Sequence, residues 1–365
     1  MSENLAISNK KERIQYIDAL RGFTMILVVF AHVEMFGIFN WGYESLIGKL
    51  FQSFRMPLFF FISGFIAYKS DRIWGIRTCW QLTKKKMLVQ IIPALFFGLI
   101  YTYLYLHQDF TTFISDPSKR GYWFTFVLLE MFLVYYFVSG LSHAFCKNRK
   151  ISESLVSTFI LVLIALTLYL LKLPLKIYPV LDSIGNYISL HYTFNYFMYF
   201  VFGVLTRQYF DVFTRFLDNK YFTAIVVLLF ACIFYLYSEL LPNLDNGDIV
   251  LKIVSTIVES VAGFLGIVIV YSFFRKHETV FDNTSKIGRS MQYIGRRTLD
   301  IYLLHYFFLP HIPKVGEFLI ASNNVLLELL IGFGLSISIV GLCLCVSNII
   351  RISPFLGKYL FGSRD

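Results

Sequence analysis

Four ionisable residues interrupt an apolar stretch near the start of the chain, residues 16–39. They are Asp18, Arg21, His32 and Glu34. The stretch is long enough to cross a bilayer as a helix, and an arginine or aspartate at mid-depth costs about 2.5 kcal/mol or more, so such residues usually mark a functional interior. On a regular helix, Arg21 and His32 are separated by three turns plus about 20°, so they share one face. Their separation along the helix axis is about 16.5 Å. The spacing predicts a polar stripe, and we expect both side chains to border one shared passage.

His32 and Arg21 differ in the chemistry that they could perform. A neutral imidazole, with an unperturbed pKa of about 6.5, is the side chain best matched to general-base chemistry near pH 7, so His32 is the candidate base. The alternative is a histidine that hydrogen-bonds to a neighbouring helix. Arg21 keeps its charge and suits a phosphate or a carboxylate, or else it sets topology and pairs with Asp18. Glu34 would point about 200° away from His32 on a regular helix, so we expect it at the outer membrane interface.

The composition is that of an integral membrane protein. Of 365 residues, 57% are hydrophobic and 15% are charged, and the mean hydropathy is +0.63. Soluble domains carry about 25% charged residues, and no stretch here is long enough for a soluble domain. The net charge of +10 could indicate nucleic acid, but the basic residues are scattered among apolar segments. We therefore expect a lipid bilayer as the partner, and no nucleic acid.

About ten apolar segments have the length of roughly 20 residues that a membrane-spanning helix needs. They predict an all-α, polytopic membrane helix bundle. The segments lie near residues 17–39, 50–68, 87–106, 122–142, 152–172, 187–206, 221–241, 250–274, 291–311 and 323–349.

Basic residues are distributed unevenly between the two ends of these segments. With the N-terminus in the cytoplasm, the inner segments carry 24 of the 33 lysines and arginines and the outer loops carry 7. Cytoplasmic loops are enriched in Lys and Arg, so the pattern predicts that both termini are cytoplasmic. The predicted domains are a cytoplasmic N-terminal segment, a transmembrane domain and a cytoplasmic tail, at residues 1–16, 17–350 and 351–365. The five cysteines have no metal-ligand spacing, and we expect no metal site.

Four runs of the sequence resemble motifs of the acyltransferase-3 family of integral-membrane acyltransferases. Arg21 and His32 match its Arg-x10-His signature within YIDALRGFTMILVVFAH. Three later runs resemble its second-helix, Trp-Phe and late-helix motifs: FRMPLFFFISGF (54–65), YWFTFVLLEMF (122–132) and IGRRTLDIYLLH (294–305). Any one run is weak evidence because apolar helices look alike, but four in order with a charged pair at fixed spacing are more specific.

The resemblance implies a function as well as a fold. It implies transfer of an acyl group, often acetyl, from cytoplasmic acyl-CoA to a hydroxyl of a cell-envelope glycan or lipid-linked acceptor, in the bacterial inner membrane. No cofactor is expected to be bound permanently, since acyl-CoA is a donor substrate. The alternative is a transporter or flippase for a polar or anionic envelope substrate. Many transporters have paired broken helices in two related halves, and the sequence has no such symmetry.

The second and third of these runs contribute candidate substrate-binding residues. Ser63 offers a hydroxyl in the second predicted helix, although the neighbouring Gly64 makes close helix packing the main alternative. Arg55 either snorkels to the outer surface or meets an anionic acceptor. Trp123 begins the predicted fourth helix. Glu130 is the only carboxylate of that helix, and we expect it to face the bundle interior.

The late run contributes two more substrate-binding candidates. Tyr302 and His305 are three residues apart, share one face of a helix, and could line a cavity for the acceptor or the thioester. Asp300 follows two arginines by three and four residues, so a local ion pair is its simplest interpretation.

Lysines stand where the family often has an Arg-x-x-Arg pair that is taken to contact the phosphates of CoA. Here the predicted entrance to the third helix carries Lys84, Lys85 and Lys86, and the arginine pair is absent. Lysines attract phosphates through charge with less geometric selectivity than arginine. Either they bind the donor, or they only set topology.

Overall fold

The structure, a computed structural model, is a bundle of helices. It describes residues 14–39, 45–177, 185–244 and 248–362, with side chains in the second range given to residue 172. No β-strand occurs in these ranges, and eight of their helices are long and apolar enough to cross a membrane. The prediction of an all-α polytopic bundle is therefore confirmed. The cytoplasmic placement of the termini stays a prediction, and residues 1–13 and 363–365 of the predicted terminal segments lie outside the described ranges.

Most long helices overlap the predicted segments, but the third begins at Ile76 and not at residue 87, so Lys84, Lys85 and Lys86 lie within it and not at its entrance. The predicted count of ten spans is not confirmed. We label eleven helices in chain order. They are α1 Gln15–Ile38, α2 Leu46–Ala67, α3 Ile76–Tyr105, α4 Trp123–Cys146, α5 Glu153–Ile177, α6 Leu190–Gln208, α7 Lys220–Leu244, α8 Ile249–Lys276, α9 Lys286–Arg296, α10 Thr298–Leu304 and α11 Val325–Ile350. Shorter helices occupy Phe110–Ser115, Phe210–Asp218, Pro313–Ser322 and Pro354–Phe361.

The predicted continuous span at 291–311 is wrong. α9 ends at Arg296, Arg297 has non-helical backbone angles, and α10 ends at Leu304 before a 3-10 turn at His305–Phe308. Pro310 follows this turn and cannot donate a backbone hydrogen bond, which prevents the helix from continuing. The break brings the residues after Leu304 to the interior of the bundle, where His305 is fully buried.

α1 lies in the core of the bundle. Its apolar residues point in all directions, and Leu20, Met25, Leu27 and Phe30 are all fully buried. A helix that is hydrophobic all round is buried among other helices, so the few polar residues of α1 must find partners or cavities inside the protein.

Glycines allow two helix pairs to approach closely. A Cβ atom at Gly295 of α9 would lie 1.8 Å from the carbonyl oxygen of Asp18, and one at Gly22 of α1 would lie 2.1 Å from that of Met291. α2 and α6 meet in the same way, since a Cβ at Gly64 would lie 1.9 Å from a backbone oxygen of α6. These contacts fix α1 against α9 and α2 against α6.

α1 changes from α-helix to π-helix directly after His32, over Val33–Ile38. A π-helix has more residues per turn, so the regular spacing used for Glu34 fails here. Glu34 is only 5% exposed, so its side chain lies inside the bundle, and its predicted depth at the outer membrane interface stays a prediction.

The segment after α11 packs back onto the bundle. Arg351 donates two hydrogen bonds of 2.9 Å to the buried carboxylate of Asp300, and Arg297 donates a third at 3.3 Å. The ring of Phe361 stacks on that of Phe97 in α3. The local pairing predicted for Asp300 is present, but its main partner is Arg351, which lies 51 residues later in the sequence.

Candidate functional site

A cavity of about 640 Å³ is enclosed mainly by α1, α2, α4, α6 and α10. It lies at the end of the bundle that carries the connection between α3 and α4, because Asp116, Ser118 and Arg120 form part of its wall. We call it the aromatic cavity. Among the side chains that line it are His32, Arg55, Trp123, Tyr192, Tyr196, Tyr302 and Tyr306.

Stacked rings form one wall of the aromatic cavity. The rings of Trp123 and Tyr192 are 4.0 Å apart and nearly parallel, and Tyr196 lies 5.7 Å from Trp123 at a similar tilt. Tyr192 and Tyr196 are one helical turn apart on α6, which is why both reach the tryptophan. The wall combines broad apolar faces with hydroxyl groups, as is usual in small-molecule sites.

A tight loop before α4 forms part of the cavity rim. Lys119, Arg120 and Gly121 all have positive φ angles. The buried ammonium of Lys119 donates to the carbonyls of Ile114, Asp116 and Asn186 at 2.7, 3.0 and 2.8 Å, which holds the turn, and burial lowers the pKa of this lysine.

The loop also places a backbone carbonyl in the cavity wall. The carbonyl of Gly121 accepts a hydrogen bond of 3.0 Å from the hydroxyl of Tyr302 and lies 3.3 Å from that of Tyr306. The tyrosine hydroxyls of the late run are therefore fixed by the loop.

His32 lies in the cavity wall and contacts two side chains from the turn after α10. Its Nδ1 is 2.9 Å from Nε2 of His305, and its Nε2 is 3.3 Å from the hydroxyl of Tyr306. His305 is fully buried and does not line the aromatic cavity. Of the two residues predicted to line one cavity, the structure places Tyr302 in the wall of the aromatic cavity and His305 behind His32.

Arg55 also faces the aromatic cavity. Its guanidinium makes no ion pair or hydrogen bond within the described ranges, whereas Arg120 at the cavity rim lies 3.5 Å from a carboxylate oxygen of Asp116. An unpaired guanidinium inside a protein is costly, so the site is suited to negative charge. Arg55 is partly exposed, and whether it reaches the outer surface or meets an anionic acceptor stays a prediction.

Two predicted substrate-binding residues lie outside the cavity wall. The hydroxyl of Ser63 donates to the carbonyl of Phe59 at 2.9 Å, which leaves it a packing role beside Gly64. Glu130 accepts a hydrogen bond from the hydroxyl of Thr193 in α6.

The predicted donor-side residues lie nearer the other end of the bundle. Arg21 is 4.0 Å from the carboxylate of Asp18 and donates to the hydroxyl of Thr298 at 2.9 Å. Lys84 and Lys85 are exposed, whereas the ammonium of Lys86 lies 3.7 Å from the centre of the Phe132 ring.

The aromatic cavity contains His32 but not Arg21, so the structure does not join the two in the shared passage that we expected. Met25 and Val28, which follow Arg21 by one and two turns on the same face of α1, are both buried between them.

Sequence reasoning missed several cavity residues. Tyr192, Tyr196 and Tyr306 line the cavity beside Trp123 and His32. The one-turn spacing of Tyr192 and Tyr196 indicates that they share a helix face, but tyrosines are frequent in this chain. The sequence of one helix does not show which neighbouring helix that face will contact.

Comparisons with known proteins identify the family. The family model described as an acyltransferase domain, acyltransferase-3, matches residues 14–347. Proteins named glucans biosynthesis protein C from Salmonella paratyphi B, Salmonella dublin and Salmonella enteritidis are each 22% identical over 390 residues, covering 96% of this chain and 95% of the relative. No solved structure matches. The chain therefore belongs to the acyltransferase-3 family and is a multi-pass integral membrane acyltransferase.

Proposed function

We propose that the protein transfers an acyl group to a hydroxyl of a cell-envelope glycan, with His32 as the general base. The observation that carries this proposal is the imidazole of His32 in the wall of a cavity large enough for a sugar unit. Since the family consists of acyltransferases, we do not retain the transporter alternative.

The proposed reaction uses two groups of the cavity. The acceptor hydroxyl attacks the acyl carbonyl carbon, a C–O bond forms, and the hydroxyl proton passes to Nε2 of His32. The negative charge that develops on the carbonyl oxygen is stabilised by the guanidinium of Arg55. When the C–S bond of the thioester breaks, the imidazolium returns the proton to the leaving thiolate.

The aromatic wall supports a glycan as the acceptor. The apolar face of a sugar ring can pack on the rings of Trp123, Tyr192 and Tyr196, while the hydroxyl groups of the tyrosines can bond its polar edge. The name of the relatives, glucans biosynthesis protein C, agrees with a polymer of sugars as the acceptor. Tyr302 completes this substrate-binding group at the base of the wall.

The donor in this proposal is acyl-CoA, with acetyl as the simplest acyl group. Arg21 lies at the donor entrance, and Lys84, Lys85 and Lys86 lie nearby on α3 and attract the phosphates of CoA. Ser63 and Glu130 are left with structural roles. We place the protein in the bacterial inner membrane, where acyl-CoA is available on the cytoplasmic side.

The experiment is release of CoA by the purified protein supplied with acetyl-CoA and a glucan oligosaccharide. We expect His32→Gln to lower kcat by about 10²-fold to 10⁴-fold, the usual contribution of a positioned general base. His311→Gln is the matched control, because His311 is exposed and lies outside the aromatic cavity. Unchanged turnover in His32→Gln would reject the assignment of the base.

A further inference from the structure

Both ring nitrogens of His305 have hydrogen-bond partners, although the side chain is fully buried. Its Nδ1 is 2.8 Å from the carbonyl oxygen of Tyr302 and 3.1 Å from that of Ile301. Both carbonyls lie in the last turn of α10, which ends at Leu304, and the carbonyl of Ile301 also accepts the backbone N–H of His305. On the other side, Nε2 of His305 faces Nδ1 of His32 at 2.9 Å.

These contacts determine where the protons are. A carbonyl oxygen only accepts hydrogen bonds, so Nδ1 of His305 must carry a hydrogen. In a neutral imidazole the other nitrogen is then an acceptor, and Nε2 of His305 accepts a hydrogen bond from Nδ1 of His32. His32 consequently carries its hydrogen on Nδ1 and has a lone pair on Nε2, the nitrogen beside Tyr306.

A positively charged His305 would reverse this order, but its surroundings disfavour the charge. No ion pair to His305 occurs among the described residues, and an isolated buried cation costs several kcal/mol. The nearest groups are neutral: two backbone carbonyls, the ring of Tyr306, which lies 4.1 Å away, and the imidazole of His32.

We infer that His305 is a positioning residue for the acyl transfer: it holds His32 in the tautomer whose Nε2 can take the proton of the acceptor hydroxyl. This inference rests on the proposed function of His32. The backbone carbonyl of Tyr302 sets the tautomer of His305, which sets that of His32. When His32 takes up the proton, its Nδ1 hydrogen bond to the neutral His305 becomes charge-assisted, which stabilises the imidazolium.

Two substitutions separate positioning from packing. The amide of His305→Gln reaches the position of Nε2 and can accept from His32, whereas the shorter amide of His305→Asn keeps only the bond to the Tyr302 carbonyl. We expect His305→Asn to lower kcat by about 10²-fold and to change KM by less than about threefold. The kcat of His305→Gln should be higher than that of His305→Asn by about tenfold or more. Equal losses in the two variants, or a loss confined to KM, would overturn the inference.

A second measurement does not depend on turnover. Side-chain ¹⁵N NMR distinguishes protonated from unprotonated ring nitrogens, and the chain has only seven histidines. The signals lost in His32→Gln and in His305→Gln identify the two residues. We expect each to carry its proton on Nδ1 in the resting protein, and we expect the His32 signals to show mixed tautomers in His305→Asn. A His32 protonated on Nε2 in the resting protein would overturn the inference, whether or not His32→Gln is inactive.

Discussion

Arg55 lines the aromatic cavity and makes no ion pair or hydrogen bond among the described residues, and this has a kinetic consequence. If its guanidinium stabilises the oxyanion of the transition state, Arg55→Gln lowers kcat by about 10²-fold to 10³-fold while KM for donor and acceptor stays nearly constant. Arg55→Lys keeps the charge but not the planar donor fork, so we expect an intermediate loss. Steady-state kinetics of CoA release at varied acceptor concentration measure both constants.

The control for Arg55 is an arginine outside the cavity. Arg149 is exposed and lies against the ring of Phe145, and we expect Arg149→Gln to retain the original rates. A rise in KM for the acceptor with unchanged kcat in Arg55→Gln would contradict oxyanion stabilisation and indicate instead that Arg55 binds an anionic group of the substrate.

The residues of the site differ in how far the sequence could predict them. His32 was predictable because an imidazole in an apolar span is costly and therefore informative. The place of His305 was not, since its predicted face assumed a regular helix and α10 ends one residue earlier. Arg351 was counted only as a topology-setting charge, because nothing in its neighbourhood indicates that it meets Asp300, 51 residues earlier.

The close contact between α1 and α9 depends on glycine, and we expect Gly295→Ala to destabilise the protein. The new Cβ would lie 1.8 Å from a backbone oxygen of α1, a contact that rigid helices relieve only by moving apart. Overpacking of this kind typically costs about 1–3 kcal/mol. Thermal unfolding of the purified protein in detergent should show a lower midpoint, together with lower activity because α1 carries His32.

Gly341→Ala in α11 is the matched control for this substitution. No atom lies within 4 Å of the position of its new Cβ, and Ala is favoured over Gly in a helix by about 0.5–1 kcal/mol. Its unfolding midpoint should therefore be unchanged or slightly higher. A Gly295→Ala protein as stable as Gly341→Ala would mean that α1 and α9 adapt more freely than the structure indicates.

The positions of the helices could be predicted mainly from the hydropathy of the sequence. All ten predicted segments are helical at least in part, because about 20 apolar residues in lipid have few alternatives to a helix. Hydropathy did not predict the departures from regularity, which are the π-helix after His32 and the break at Arg297. His32 directly precedes the π-helix, and its partners His305 and Tyr306 lie in the turn after α10.

In the molecule as a whole, the aromatic cavity and the basic residues proposed to bind the donor lie towards different ends of the bundle. The aromatic cavity lies at the end that carries the α3–α4 connection, while Arg21 and the lysines of α3 lie towards the other end. The distribution of basic residues predicts that the lysine end is cytoplasmic. The glycan and the acyl donor would then approach His32 from opposite sides of the membrane, with Met25 and Val28 between the two approaches.

This arrangement predicts that transfer needs donor and acceptor on opposite sides. We expect sealed vesicles to acylate a glucan oligosaccharide only when acyl-CoA is on the side of Lys84 and the oligosaccharide is on the side of Ser118, since neither molecule crosses a bilayer unaided. Labelling of Lys84→Cys and Ser118→Cys with a membrane-impermeant maleimide establishes the orientation of each preparation. Equal transfer with both substrates on the Lys84 side would contradict the prediction, because the acceptor would then have reached His32 from the same side as the donor.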